Sequence, residues 1–165
     1  MCGIVGVVRF DGRPQERAVL ERMTDALAHR GPEGRGLHLA ADGGISIGLG
    51  HTRLKVVDLS EAAGQPMSSD DGAVWVVFNG EIYNFRELRA SLEQRGYRFR
   101  TSSDTEVLLR CYEAEGERCV SRLEGMFAFA IWDARARRVL LARDRVGKKP
   151  LFYVLTPALF AFASE

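Results

Sequence analysis

The sequence predicts a layered α+β domain in which stacked β-sheets are covered by helices. Three observations carry this reading. Several strand-like runs are apolar on nearly every residue, Phe127-Ala128-Phe129-Ala130-Ile131 most clearly, and such strands need cover on both faces. Three helical patterns interrupt the strands, set off by glycine-rich or polar turns. The chain has 165 residues, 46% of them hydrophobic, which is enough for one domain with a substantial core. No internal repeat is visible.

The elements follow in order. Ile4-Val5-Gly6-Val7-Val8 is β-branched and apolar and reads as a buried strand. After Pro14 comes a helical pattern with Val19, Met23, Ala26 and Leu27 on one face. Gly31, Gly34 and Gly36 mark a loop, followed by strand-like segments at Ile45 to Leu49 and Leu54 to Asp58. Gly64 to Gly72 reads as a polar connector. Ala73 to Phe78 is a further buried strand, and Asn79-Gly80 after it is a strong turn dipeptide. Leu88 and Leu92 define a short amphipathic helix stopped by Gly96. Ser103, three residues ahead of Glu106, forms a capping-box pattern before Val107, Leu108 and Leu109. The last third is strand-rich: Met126 to Asp133, Val139 to Asp144, Leu151 to Leu155 and Leu159 to Ala163. Because that last apolar run reaches almost to the final residue, the chain is expected to be the front piece of a longer polypeptide.

Composition excludes several classes. With 23 basic and 22 acidic side chains the formal net charge is +1, so neither disorder nor phosphate-neutralising nucleic-acid binding is expected. Arg135, Arg137 and Arg138 read as a solvated hairpin tip. The longest apolar stretch, Met126 to Trp132, is far short of the ~20 residues that a membrane helix needs. No signal peptide is visible at the start. Cys2, Cys111 and Cys119 are odd in number and lack metal-ligand spacing, which predicts a reducing, cytoplasmic setting without disulfides or zinc.

Cys2 is the most informative residue. Initiator methionine is usually removed when a small residue follows, leaving a cysteine with a thiol and a free α-amine together. The amine has a pKa of about 7.7–8.0 and the thiol about 8.5, so roughly a seventh of such amines are neutral at pH 7. Nucleophile and base then reside on one residue. Taken alone, Cys2 also suits a small apolar filler. Asn79-Gly80 suits an ordinary hairpin turn, Arg53 a surface arginine at a strand end, and Asp104 a helix N-terminus.

Seven segments resemble the class II, N-terminal-cysteine glutamine amidotransferases and occur in the expected order. They are Met1-Cys2-Gly3-Ile4-Val5-Gly6-Val7, His29-Arg30-Gly31-Pro32, Gly50-His51-Thr52-Arg53-Leu54, Asn79-Gly80-Glu81-Ile82-Tyr83-Asn84, Ser103-Asp104-Thr105-Glu106, Gly125 to Ala130 and Arg143 to Leu151. Asn79 to Asn84, Arg143 to Leu151 and the closing Phe162-Ala163-Ser164-Glu165 are most similar to the glutaminase half of glutamine-hydrolysing asparagine synthetases. Glu33, where aspartate is usual, and Ser103, where glycine is sometimes found, depart from the pattern without touching its chemistry.

The resemblance implies the N-terminal-nucleophile hydrolase fold, a four-layer αββα sandwich with two stacked, mostly antiparallel sheets. It implies a glutaminase domain over residues 2–165, truncated at its C-terminal end, with the ATP-dependent synthetase domain absent. By the same resemblance Cys2 is the nucleophile, and the Asn79 side chain and Gly80 N–H hold the oxyanion. Arg53 takes the glutamine α-carboxylate, Glu81 and Asp104 face its α-ammonium, and Leu54 and Val57 line the pocket. The implied reaction is hydrolysis of L-glutamine, with ammonia supplied for making asparagine from aspartate. Alternatives are a sugar or peptide acceptor, or a non-catalytic interaction domain.

Implied partners are L-glutamine and a C-terminal or separate synthetase domain, and the resemblance allows a homodimer of the full protein. Nucleic acid and membrane are not expected. No metal or cofactor is expected in this chain; ATP and Mg²⁺ belong to the absent domain. His29 reads as part of a structural loop and His51 as a packed residue at a strand end, since the α-amine replaces a histidine base. Lys148 and Lys149 lack a phosphate loop around them.

Overall fold

The computed structural model describes residues 1–165 and contains two antiparallel sheets between helical layers. The first sheet has five strands in the order β2-β3-β1-β9-β8: β1 is Gly3–Arg9, β2 Gly34–Asp42, β3 Ile45–Arg53, β8 Phe152–Leu155 and β9 Leu159–Ala163. The second has four in the order β4-β5-β6-β7: β4 is Met67–Ser68, β5 Val74–Ile82, β6 Gly125–Asp133 and β7 Arg138–Arg143. Helix α1 spans Arg17–Asp25, α2 Phe85–Gln94 and α3 Asp104–Glu115.

Strand β6 explains why the sheets stack. Alternate residues of a strand face opposite sides, and every residue from Phe127 to Trp132 is buried. Phe127, Phe129 and Ile131 pack with Leu88, Leu92 and Leu108 of α2 and α3. Ala128, Ala130 and Trp132 face the other way and pack with Ile4, Val8, Leu49 and Phe162 of the first sheet. On the far side of that sheet, Val5 packs against Leu20 and Leu27. The four layers expected of an αββα sandwich are thus present.

Five local expectations are corrected. The buried residues of the α1 region are Leu20, Thr24 and Leu27; of the expected face Leu27 is buried and Met23 packs partly buried against it, while Ala26 is exposed. Thr24 reaches the core because its Oγ1 donates to Leu20 O at 2.8 Å, which hides its polar group. Leu54 to Asp58 is a loop and not a strand, since Arg53 donates to Asp58 O and Ser60 O and folds the segment back on itself. Asn79-Gly80 is not a turn. Strand β5 runs through both residues, with Asn79 opposite Ala128 and Gly80 opposite Phe127. The Gly64 to Gly72 connector holds the two-residue β4, and β2 begins at Gly34, within the expected glycine loop.

The capping pattern is half present. Ser103 Oγ accepts from Thr105 N at 3.1 Å, whereas buried Glu106 binds the backbone N–H groups of Arg100 and Thr101. No helix is long and apolar enough to cross a membrane.

Candidate active site

Five segments distant in sequence meet at one end of the sandwich. The start of β1 brings Cys2 there, the end of β3 brings Arg53, and the Leu54–Gly64 loop folds over them. The far half of β5 contributes Asn79, Gly80 and Glu81, and the N-terminus of α3 contributes Asp104. They enclose a cavity of about 190 Å³, below the ~300 Å³ at which drug-sized pockets begin. Its occupant is therefore small. Cys2, Arg53, Leu54, Val57, Asn79, Gly80, Glu81 and Asp104 all line it.

The Cys2 thiol is held by Leu54. Its Sγ accepts from Leu54 N at 3.4 Å and lies 3.6 Å from Leu54 O. Burial pushes the thiol above its ordinary pKa, and the hydrogen bond to Leu54 and the charges of the chain terminus and Arg53 pull the other way. None of the three histidines lines the cavity. His51 Nε2 meets Phe78 O at 3.2 Å between the sheets, and burial pushes this imidazole down to about 3. His29 meets Glu165 at the surface.

Asn79 is 1% exposed and its Nδ2 has no hydrogen-bond partner. A buried amide donor without a partner costs about 1–3 kcal/mol, so a cavity ligand that accepts from it restores what folding gives up. Strand alternation places Asn79 on the inter-sheet face of β5, with Val77. Gly80 allows close approach: a Cβ there would lie 2.3 Å from Met126 O and 2.7 Å from Phe127 Cα.

The charged groups suit a zwitterion. Burial, with a smaller contribution from the Glu81 charge nearby, outweighs the opposing Ile82 N–H, which donates to Oδ2 at 3.0 Å, and brings the Asp104 carboxyl up to about 6. Two carboxyl groups crowded into one cavity favour a bound cation. Arg53 supplies the opposite sign. Two of its five N–H donors are committed, one to Ser60 O at 2.7 Å and one to Asp58 O at 2.5 Å, which leaves three for an anion.

Asp58, Gln65 and Lys149 also line the cavity, and the sequence reading gave none of them a place in the site. Burial pushes Asp58 up, but hydrogen bonds from Ser60 and Ser102 outweigh it and bring the carboxyl to about 2. It fastens the loop that Arg53 folds. Gln65 fixes β5 by accepting from Phe78 N at 2.6 Å. The Gln65–Phe78 and Asp58–Ser102 contacts link residues 13 and 44 positions apart, and no local pattern announces them. The chain gathers no group of three His, Cys, Asp or Glu side chains able to hold a metal ion.

A thiol, an unpaired amide donor and charged groups of both signs thus share one small cavity. The chain belongs to the glutamine amidotransferase domain family, which matches residues 1–165. It is 42% identical to asparagine synthetase [glutamine-hydrolyzing] 1 of Bacillus subtilis over all of this chain and 26% of that protein. It is 38% identical to a putative asparagine synthetase of Methanocaldococcus jannaschii, over 34% of its length. Amidase chry2 of Gibberella zeae is 33% identical over the whole of this chain. The chain thus spans about a quarter to a third of the curated relatives it matches. Among solved structures, glutamine phosphoribosylpyrophosphate amidotransferase from B. subtilis superposes with a TM-score of 0.80 at 26% identity, over 99% of this chain and 42% of that one. The fold is the N-terminal-nucleophile hydrolase-like fold of the amidotransferases.

Proposed function

We propose that this chain hydrolyses L-glutamine to glutamate and ammonia through a thioester on Cys2. The ammonia serves a synthetase domain that converts aspartate to asparagine with ATP and Mg²⁺, in the cytoplasm. The observation that carries the reading is the unpaired Asn79 amide in the same small cavity as the Cys2 sulfur.

Removal of Met1 leaves Cys2 with a free α-amine. That amine takes the thiol proton as sulfur attacks the glutamine side-chain carbonyl carbon. Negative charge develops on the carbonyl oxygen, where Asn79 Nδ2 and the Gly80 N–H donate to it. The C–N bond breaks, the α-ammonium returns its proton to the departing ammonia, and a glutamyl thioester remains. Water, deprotonated by the same amine, hydrolyses the thioester and regenerates the thiol. Arg53 grips the α-carboxylate, and Asp104 and Glu81 face the α-ammonium. The asparagine synthetase relatives support asparagine as the final product.

A second reading has one specific support. Amidase chry2 and amidase chyE of Penicillium rubens, at 33% and 36% identity, fall among the same relatives, which favours a different acceptor with the same glutaminase chemistry.

The test is intact mass before and after a glutamine-like chloroketone. Loss of the Met1 mass followed by a single adduct on Cys2, blocked by excess glutamine, is the expected result. Retained Met1, or labelling confined to Cys111 and Cys119, overturns it.

A further inference from the structure

Lys149 is a buried cation in the cavity that the mechanism above leaves unused. Asp144 brings it there by accepting the backbone N–H groups of Phe127 at 3.2 Å, Lys148 at 2.8 Å and Lys149 at 2.9 Å. These bonds pin the turn after β7 against β6 and deliver the lysine to the cavity wall. The residue is 6% exposed with Met1 in place, makes no ion pair, and its Nζ hydrogen-bonds only the Met1 thioether, 3.1 Å from Sδ. Taking an ammonium out of water without a carboxylate partner is costly, and a cleft that tolerates the cost is a candidate for function.

The charges around it are few. Arg30, whose Nε donates to Cys2 O at 3.0 Å, repels the ammonium, whereas Glu81, Asp144 and a Cys2 thiolate favour it. Arg53 and Asp104 act on the same sulfur with opposite signs. Loss of Met1 removes the thioether from Nζ and sets the new α-amine among these groups.

We propose that Lys149 is a positioning residue for the Cys2 chemistry, its buried ammonium biasing the sulfur toward thiolate and the α-amine toward the neutral base. A nearby positive charge stabilises the first and disfavours a second ammonium. The inference rests on the reading of Cys2 as nucleophile.

The test is the rate of Cys2 alkylation by a glutamine-like chloroketone from pH 5 to pH 10, read by mass. In Lys149→Met the midpoint rises by about one pH unit, so alkylation below it falls about tenfold while the high-pH plateau is unchanged. Lys149→Arg keeps the midpoint of the unaltered chain. If Lys149→Met does not fold, Lys149→Gln makes the same comparison. An unmoved midpoint, or an equal loss at every pH in the Met and Arg variants, overturns the role of Lys149 and leaves the nucleophile standing. Absence of any Cys2 adduct in the unaltered chain overturns both.

Discussion

Replacing Asp104 by asparagine separates what the site needs from what the fold prefers. Asp104 is 4% exposed, and burial beside Glu81 raises its carboxyl to about 6 from an ordinary 3.8. The folded chain therefore holds this proton more tightly than the unfolded chain. The carboxyl's contribution to stability is fully present below pH 4 and is lost as pH rises toward 6. The gap of 6 − 3.8 = 2.2 units corresponds to at most about 3 kcal/mol, at about 1.36 kcal/mol per unit.

Asparagine keeps an acceptor for the Ile82 N–H and carries no charge. Asp104→Asn should thus be more stable than the original chain at pH 8, by up to about 3 kcal/mol, with the gap closing near pH 4. Urea unfolding followed by tryptophan fluorescence at both pH values measures this. The same variant should raise the glutamine KM and leave kcat nearly unchanged, since the α-ammonium loses a charged partner. Equal stability at pH 8, or a stability difference that does not vary with pH, refutes the reasoning.

Other predictions follow from the same geometry. Cys2→Ser should retain the fold, with an unchanged circular dichroism spectrum, and lose glutaminase activity by several orders of magnitude; full activity removes Cys2 as nucleophile. Gly80→Ala must part β5 from β6, because its Cβ would sit 2.3 Å from Met126 O. A stability loss of about 1–3 kcal/mol is expected, with a fall in glutaminase rate of about 10²-fold; an unaltered rate shows that Gly80 is not placed against the reacting carbonyl. Glu106→Ala should cost about 3–5 kcal/mol in urea unfolding, because buried Glu106 holds the N–H groups of Arg100 and Thr101 and sits 3.6 Å from Arg110. A loss under 1 kcal/mol contradicts that. Glutamine KM should fall as pH rises through about 6, where Asp104 becomes charged; a KM flat across that range takes Asp104 out of the pocket.

What the sequence by itself determined is whatever depends on composition and short-range periodicity. The two-sided apolar character of β6 demanded cover on both faces. The run from Ile4 to Val8 and the helix on Leu88 and Leu92 follow from strand and helix periods. The eight residues singled out for the site line one cavity, and motif segments in family order carry all of them but Val57. The tertiary structure alone decided matters in which distant groups override local preference. Asn79-Gly80 favours a turn locally, but pairing with Ala128 and Phe127 satisfies its backbone as strand and turns Asn79 toward the space between the sheets. Leu54 to Asp58 looks like a strand until the Arg53 guanidinium ties Asp58 O and Ser60 O into a loop over the cavity. Lys149 has no role legible in its sequence neighbourhood until three N–H groups converge on Asp144 and bring it to the cavity wall. In each case the deciding partner is remote or on a side chain, and hydrogen bonds to such partners leave no trace in local hydrophobic pattern.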